Sequence, residues 1–184
     1  MRGIWIFFVI ILVLTTAGFA IVWLAGMNIP EKHDITREFE IQESPHTIWY
    51  LLADYAGYSN WREDIRFLVT LPPTKMDSLH SWREYEMNGH NISYVMVESS
   101  FPRYIAFETL DDGEDPIGRW DISISKMEDG CAVSIRERGI SKGPFHRFSK
   151  KYLNRAKLKA DVISRSIQER YQHPEEEKRV TIWN

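Results

Sequence analysis

The side chains with the greatest catalytic potential in this sequence are carboxylates on segments that read as strands. Alternation of apolar and polar residues places Glu137 on the same face as Ile135, and Glu98 on the same face as Met96. Burial beside apolar groups raises the pKa of a carboxyl group, which suits it to general acid or base catalysis at neutral pH. If these faces enclose a cavity, Glu137 and Glu98 are the candidate catalytic residues, and the reaction would be a cyclisation or dehydration.

Two further carboxylates, Glu84 and Glu86, share a strand-like segment with Trp82 and are candidates for the same role. All four glutamates lie towards the ends of their strands, where contact with solvent at the rim of a sheet is the simpler interpretation. The sequence therefore favours a protein that is not an enzyme, with catalysis as the alternative.

Metal, nucleotide and nucleophile chemistry have no support in the sequence. The lone Cys131 cannot build a structural zinc site, and no base is placed beside it, which favours a small buried hydrophobic residue over a nucleophile. The sequence has neither a Gly-rich phosphate loop nor a nucleophile elbow. The histidines show neither an HExxH pattern nor close pairing, so we predict no metal and no cofactor. The six histidines are His33, His46, His80, His90, His146 and His173.

Composition limits the remaining function classes. The 184 residues are 43% apolar and include 23 Lys and Arg against 26 Asp and Glu, for a net charge of -3. Such a composition excludes intrinsic disorder and a disulfide-framed small protein. It also argues against a nucleic-acid partner, because phosphate neutralisation needs a cationic surface.

The first part of the chain contains an uncharged apolar segment, residues 4–26, after a short flank, residues 1–3. Its 23 residues span about 35 Å as a helix, enough to cross a bilayer. The alternative is a cleaved secretory signal, because Gly18 and Ala20 supply the small residues that a signal peptidase reads. A retained anchor is favoured, since the apolar run continues for six residues past Ala20.

The orientation of this anchor rests on a few basic residues. Arg2 opposes Lys32 and Arg37 on the other side of the span, so the charge difference is small. The short positive flank favours a cytoplasmic amino terminus. We therefore expect a single-pass membrane protein whose soluble domain lies on the extracytoplasmic side.

The rest of the chain reads as one α+β domain. After a linker, residues 27–34, the domain covers residues 35–171, and a polar tail covers residues 172–184. Alternation and turn residues such as Asn88-Gly89 and Asp129-Gly130 predict an antiparallel meander after a first strand and two short helices. Seven strands are expected, at residues 35–41, 65–71, 82–87, 90–99, 103–110, 119–127 and 131–140.

The last predicted element is one long amphipathic helix over residues 145–171. It carries eight basic and two acidic residues, most of the basic ones away from an apolar stripe. A solvated outer face is the simpler interpretation, and a surface for anionic lipid headgroups is the alternative.

This arrangement resembles the START/Bet v 1-like (SRPBCC) superfamily, and within it the bacterial polyketide cyclase/dehydrase and lipid-transport group. The resemblance implies a helix-grip fold, in which a curved seven-stranded antiparallel sheet surrounds the long final helix and leaves an apolar cavity. It covers about 135 residues and specifies a fold more than a chemistry. The residues that carry it are 44–55 (SPHTIWYLLADY), Tyr58, Trp61, Asp64, 102–108 (PRYIAFE), 118–120 (GRW), Gly130 and 143–145 (GPF).

In such a fold, large aromatic and flexible side chains on the concave face suit an adaptable hydrophobic ligand. The leading hypothesis is a membrane-anchored, non-catalytic carrier or sensor of a lipid, isoprenoid or quinone-like molecule. The alternatives are a membrane-tethered cyclase or dehydratase, and an assembly factor that contacts another membrane protein through Lys150, Lys151 or Lys157. The predicted ligand-binding residues are Trp82, Ile92, Tyr94, Met96, Ile105, Phe107, Trp120, Ile122, Ile135, Phe148 and Tyr152.

Overall fold

The computed structural model describes residues 2–72, 80–110, 116–141, 143–153 and 155–172. These residues form two compact units. The first contains the described residues of 1–33 and 140–155, and the second contains those of 34–139 and 156–172. The predicted tail lies outside the described residues, apart from Gln172.

The first unit begins with the apolar helix α1 (Arg2–Met27). Its segment Trp5–Met27 has a mean hydropathy of 2.6, and most of its large apolar side chains are exposed. Pro30 follows the helix, and charged residues begin at Glu31. Within the described residues, α1 is therefore the one helix long and apolar enough to span a membrane.

The seven predicted strands are all present and form one sheet. The order across the sheet is β1-β7-β6-β5-β4-β3-β2, and the neighbouring pairs from β2 to β7 are antiparallel. The strands are β1 (Lys32–Ile41), β2 (Ile65–Leu71), β3 (His80–Glu86), β4 (Asn91–Ser100), β5 (Tyr104–Leu110), β6 (Pro116–Met127) and β7 (Gly130–Ile140).

Two short helices follow β1, as the sequence predicts. Helix α2 (Pro45–Ala53) is capped by Ser44, whose hydroxyl accepts a hydrogen bond from the Thr47 amide at 3.1 Å, with Pro45 at the first helical position. The second is a 3₁₀ helix (Tyr55–Asn60). The Asp54 carboxylate accepts a hydrogen bond from the Gly57 amide at 3.3 Å and caps this second helix. Ile48 and Leu52 of α2 are buried in the core.

The segment predicted as one long helix is described as α3 (Pro144–Leu153) and α4 (Arg155–Gln172), with Asn154 outside the described residues. The two segments belong mainly to different compact units. In the second unit, Ala160, Ile163 and Ile167 of α4 join one buried cluster with residues of the sheet and α2.

The hairpin between β6 and β7 depends on Gly130. Its φ of +132° is one that side-chain-bearing residues rarely adopt, and an added Cβ would lie 2.1 Å from the carbonyl oxygen of Ile41. At the β3–β4 turn, Gly89 has a φ of +85°, but an added Cβ would meet no atom within 4 Å.

Replacing Gly130 by alanine should therefore destabilise the protein more than replacing Gly89. We expect Gly89→Ala to lower the free energy of unfolding by about 1–2 kcal/mol through its backbone conformation. Gly130→Ala adds a steric clash with Ile41, so we expect a loss of about 3 kcal/mol or more. Urea unfolding of the full chain in detergent measures both, and equal losses would contradict the close approach of β7 to Ile41.

Candidate functional site

The inner face of the sheet carries a row of aromatic rings that runs across β3, β4, β5 and β6. Trp82 stacks on Tyr94 with ring centroids 5.5 Å apart, and Tyr94 meets Phe107 edge to face at 5.4 Å. Phe107 in turn stacks on Trp120 at 6.0 Å. Such pairs stabilise a sheet beyond the burial of their area alone. The row forms a broad aromatic surface on the face of the sheet that belongs to the buried core with α4.

The structure brings together most of the predicted ligand-binding residues. Eight of them are at most 6% exposed and belong to one buried cluster, and Ile92 is half-buried against it. Phe148 and Tyr152 belong to the first compact unit, where their rings lie 4.6 Å apart and Tyr152 is 60% exposed. The eight are Trp82, Tyr94, Met96, Ile105, Phe107, Trp120, Ile122 and Ile135.

Charged side chains form a second feature of the same unit, which we call the buried charge cluster: Arg62, Asp64, Glu84, Glu86 and Lys159. The Arg62 guanidinium donates to both carboxylate oxygens of Asp64, at 3.0 and 2.6 Å, and to those of Glu84, at 3.0 and 3.2 Å. The Lys159 ammonium donates to Glu84 at 3.0 Å and to Glu86 at 2.7 Å. The cluster therefore joins α4, β3 and the segment before β2.

Aromatic groups surround this cluster and complete its hydrogen bonds. The Trp82 indole donates to Glu84 at 3.2 Å, and the Lys159 ammonium lies 5.1 Å from the centre of the Tyr94 ring. Arg62 lies 5.4 Å from the centre of the Tyr58 ring, and Tyr58 donates to the carbonyl of Leu52 at 2.6 Å. The charges are thus paired within a largely apolar environment, as buried charges require.

The carboxylates of Glu84 and Asp64 are held in their ionised forms. Burial alone would raise the pKa of Glu84, but Lys159 and Arg62 outweigh it, and the pKa lies below its ordinary value. Burial would also raise the pKa of Asp64, but the hydrogen bonds and charge of Arg62 outweigh it, so this pKa too lies below its ordinary value. Burial raises the pKa of Tyr94, so its hydroxyl stays protonated. An ionised Glu84 occupied by two cations is a weak base, which argues against catalysis by this residue.

This arrangement makes stability sensitive to acid. A carboxylate whose pKa is lowered by folding stabilises the folded state above its unfolded pKa, and this contribution is lost as pH falls through the folded value. For Glu84 and Asp64 the loss begins near the ordinary values of 4.5 and 3.8. We therefore expect the free energy of unfolding to decrease steadily from about pH 4.5 downwards.

Urea unfolding between pH 6 and pH 3 checks this expectation. Asp64→Asn removes one of the two groups, so its free energy of unfolding should depend less steeply on pH than that of the parent. Glu128→Gln changes an exposed carboxylate and serves as the control, with the slope of the parent. An unchanged slope in Asp64→Asn would contradict the role of the cluster.

The two catalytic candidates end in different environments. Glu137 is 7% exposed and lies opposite Trp120 in the β6–β7 pair, as alternation predicts. Glu98 has a 57% exposed side chain and pairs with Arg119 at 3.1 Å. The prediction that Glu98 shares a face with Met96 is wrong, because a β-bulge between these residues interrupts the alternation.

Cys131 is buried, and burial raises the pKa of its thiol, which disfavours the nucleophilic thiolate.

Two clefts in the second unit are open to solvent. One, of about 670 Å³, lies between the end of β1, the β6–β7 turn and Tyr171. The other, of about 260 Å³, lies beside Arg62 and the last turns of α4. Neither is lined by the predicted ligand-binding residues, eight of which pack together in one buried cluster. Among the described residues, no three His, Cys, Asp or Glu side chains are grouped to hold a metal ion.

Sequence reasoning missed Arg62 and Lys159. Lys159 is one of the eight basic residues of the predicted final helix, and it lies four residues before Ile163 and so on the same side as the buried stripe. That spacing was a usable signal. Arg62 follows the 3₁₀ helix, and its pairing with Glu84 joins residues that are 22 positions apart, so no local pattern indicates it.

The comparisons with known proteins concern the fold. No protein family and no curated protein matched this chain in sequence. Among solved structures, the di-domain ARO/CYC protein StfQ from the steffimycin biosynthetic pathway matches with a TM-score of 0.60 and 11% identity. The match covers 78% of this chain and 51% of StfQ, so this chain corresponds to about half of that protein.

Two further structures cover nearly whole proteins. A START superfamily protein from Mycobacterium smegmatis matches with a TM-score of 0.57 and 15% identity, over 77% of this chain and 98% of that one. The Aha1 protein from Colwellia psychrerythraea matches with a TM-score of 0.57 and 10% identity, over 76% and 96%. Together with the seven-stranded sheet and α4, these matches show that the chain has the START/Bet v 1-like helix-grip fold predicted from its sequence.

Proposed function

We propose that this chain is a membrane-anchored protein that binds a hydrophobic small molecule, such as a lipid, isoprenoid or quinone-like compound, without chemical change. The observation that carries the proposal is the continuous aromatic inner face of a START-like sheet, in the same chain as a helix of membrane-spanning length. The helix-grip fold supports a ligand between the sheet and the final helix, and the aromatic row supports a ligand that is apolar.

The inner face has the properties that an adaptable apolar site needs. In the described structure Trp82, Phe107 and Met96 pack on neighbouring side chains, so a ligand must enter by moving some of them. Methionine rearranges at modest cost because its side chain is unbranched and flexible, and aromatic rings present large flat surfaces to an apolar ligand. The buried charge cluster lies at one side of this face and provides the polar groups that would orient a ligand headgroup.

Anchoring is part of the proposal. A spanning α1 would hold the domain where hydrophobic molecules are concentrated, which raises their effective concentration without any new contact. We place the soluble domain on the extracytoplasmic side, in agreement with the short positive N-terminal flank. Labelling from intact cells of a cysteine introduced in the tail, residues 172–184, tests this placement, and an unlabelled tail would reverse it.

Retention of ligand by the purified full chain tests the binding function. The chain is incubated with a total lipid extract and washed in mild detergent, and the bound compounds are extracted and measured by mass spectrometry. We expect one enriched hydrophobic compound at about one molecule per chain. No compound enriched over a detergent-exchanged control would contradict the proposal.

A matched pair of variants separates the inner face from the rest of the apolar surface. Phe107→Leu alters the aromatic row, whereas Phe67→Leu alters a 44% exposed ring that stacks on Tyr85 at the edge strand β2. We expect Phe107→Leu to change retention several-fold and Phe67→Leu to leave it unchanged. Equal effects would mean that the retained compound binds elsewhere.

Glu137 favours a second candidate function, a cyclase or dehydratase. Its burial on β7 opposite Trp120 places one carboxylate next to the aromatic row, and proton transfer would need a carboxyl group within reach of a ligand there. Under this alternative, Glu137→Gln abolishes turnover of a polyketide substrate, and Glu98→Gln, which changes the solvent-exposed carboxylate, does not. Retained turnover in Glu137→Gln would remove this candidate.

A further inference from the structure

Helix α3 packs on the carboxyl-terminal part of α1 within the first compact unit. The Phe145 ring lies 4.6 Å from Phe19 and 6.2 Å from Trp23, measured between ring centroids. At Gly26 the backbones meet, because an added Cβ would lie 2.0 Å from the carbonyl oxygen of Pro144. The glycine therefore allows the beginning of α3 to lie directly against the end of α1.

Polar contacts fix α3 to the chain that leaves α1. The Arg147 guanidinium donates to the carbonyls of Ser141, at 3.2 Å, and Ile29, at 3.5 Å, and it pairs with the carboxylate of Glu31. The Ser141 amide donates to the carbonyl of Glu31 at 2.8 Å. These bonds hold α3 at the level where the apolar segment ends and charged residues begin.

The position of α3 along α1 defines its depth. Phe19 precedes the last residue of α1 by eight positions, which corresponds to about 12 Å along the helix axis. If α1 spans a bilayer, Phe145 lies within the outer part of the apolar layer, and the rest of α3 lies near the headgroups. Phe145 and Tyr152 are 40% and 60% exposed, and aromatic side chains of this kind are enriched at that depth.

The charge of the chain is divided between the two units. Residues 1–33 and 140–155 contain seven basic residues and one acidic residue, whereas the remainder of the chain contains 16 basic and 25 acidic residues. The positive charge is thus concentrated in the part of the chain that contains the spanning helix and α3. Lys150 and Lys151 extend this charge along α3, and the Lys151 side chain is exposed.

From this combination we infer that α3 is an interfacial helix that binds anionic lipid headgroups beside α1. The inference rests on the membrane anchoring proposed above and is independent of any ligand in the helix-grip domain. The apolar side of α3 continues the apolar surface of α1 through Phe145, and the exposed Lys151 complements phosphate groups. Each lysine near an anionic surface strengthens binding by about fivefold, so Lys150 and Lys151 together contribute about 25-fold.

Hydrogen exchange of the full chain in lipid nanodiscs tests the inference. One preparation contains phosphatidylcholine alone, and the other contains phosphatidylcholine with about one third phosphatidylglycerol, a ratio that gives a strongly anionic surface. We expect the amides of residues 145–153 to exchange at least tenfold more slowly in the anionic discs, and high salt to abolish the difference. The amides of residues 163–172 in α4 should exchange equally in both.

Paired variants assign the effect to the lysines. Lys150→Gln/Lys151→Gln should abolish the lipid-dependent protection, and Arg66→Gln/Lys126→Gln, which removes the same charge from exposed residues of the second unit, should retain it. Equal exchange of the α3 amides in the two lipids would overturn the inference. It would mean that α3 does not distinguish anionic from neutral headgroups, as expected if its partner were another protein. Rapid exchange of the α1 amides in both discs would instead overturn the anchoring itself.

Discussion

Replacing Glu84 by glutamine should lower the free energy of unfolding by about 3–5 kcal/mol, the usual effect of removing one partner from a buried ion pair. Glu84 is 1% exposed and accepts hydrogen bonds from Arg62, Lys159 and Trp82. A neutral amide leaves both cations without their shared counter-charge, and its NH₂ group faces other donors. Urea unfolding of the full chain in detergent measures the change.

The ion pair of Arg136 with Asp34 supplies the control for this variant. Both side chains are about half exposed, so water already solvates the charges. We expect Arg136→Gln to leave the unfolding midpoint unchanged within error. A loss of less than about 1 kcal/mol in Glu84→Gln would indicate a hydrated cluster. That result would contradict the buried arrangement of Arg62 and Lys159.

Trp82→Ala should lower the free energy of unfolding by a similar amount, about 3–5 kcal/mol, for a different reason. Trp82 is fully buried and stacks on Tyr55 at 4.9 Å and on Tyr94 at 5.5 Å. Its removal leaves a large cavity in the centre of the aromatic row and also removes a hydrogen bond to Glu84. Thermal unfolding followed by circular dichroism measures the loss.

A conservative variant and a surface variant show whether the cavity causes this effect. Trp82→Phe retains most of the buried area, so we expect a smaller loss than in Trp82→Ala. Met87→Ala truncates a side chain that is 67% exposed and should change stability by less than about 0.5 kcal/mol. If Trp82→Ala were no more destabilising than Met87→Ala, the aromatic row would not be part of the core.

The fold was predictable because its signals are local. Alternation identified all seven strands, the Asn88-Gly89 and Asp129-Gly130 turns placed two hairpins, and the Ser44-Pro45 pair placed the start of α2. The inner-face residues followed from the same alternation, since one face of each strand must be buried. A two-residue period fails only where the chain inserts a residue, and the bulge before Glu98 is such a place.

The polar part of the candidate site was less predictable, because it depends on contacts between distant residues. Lys159 lies 75 positions from Glu84, and only the packing of α4 on the sheet brings them together. Sequence patterns likewise gave no indication that Phe145 packs on α1, since both segments are separately apolar on that side. Contacts between residues so far apart in the sequence can be identified only from the folded structure.

The most direct test of the central claim is an isotope-filtered nuclear Overhauser measurement on the full, ¹³C-labelled chain in micelles with an unlabelled total lipid extract. The protons of a bound ligand should give cross-peaks to Trp82, Phe107 and Ile135, which are buried on the inner face. Lipid that only surrounds the anchor would give cross-peaks confined to residues 5–27 and to α3. Cross-peaks to the inner face are the result we predict, and their absence at saturating lipid would contradict the proposed ligand-binding function.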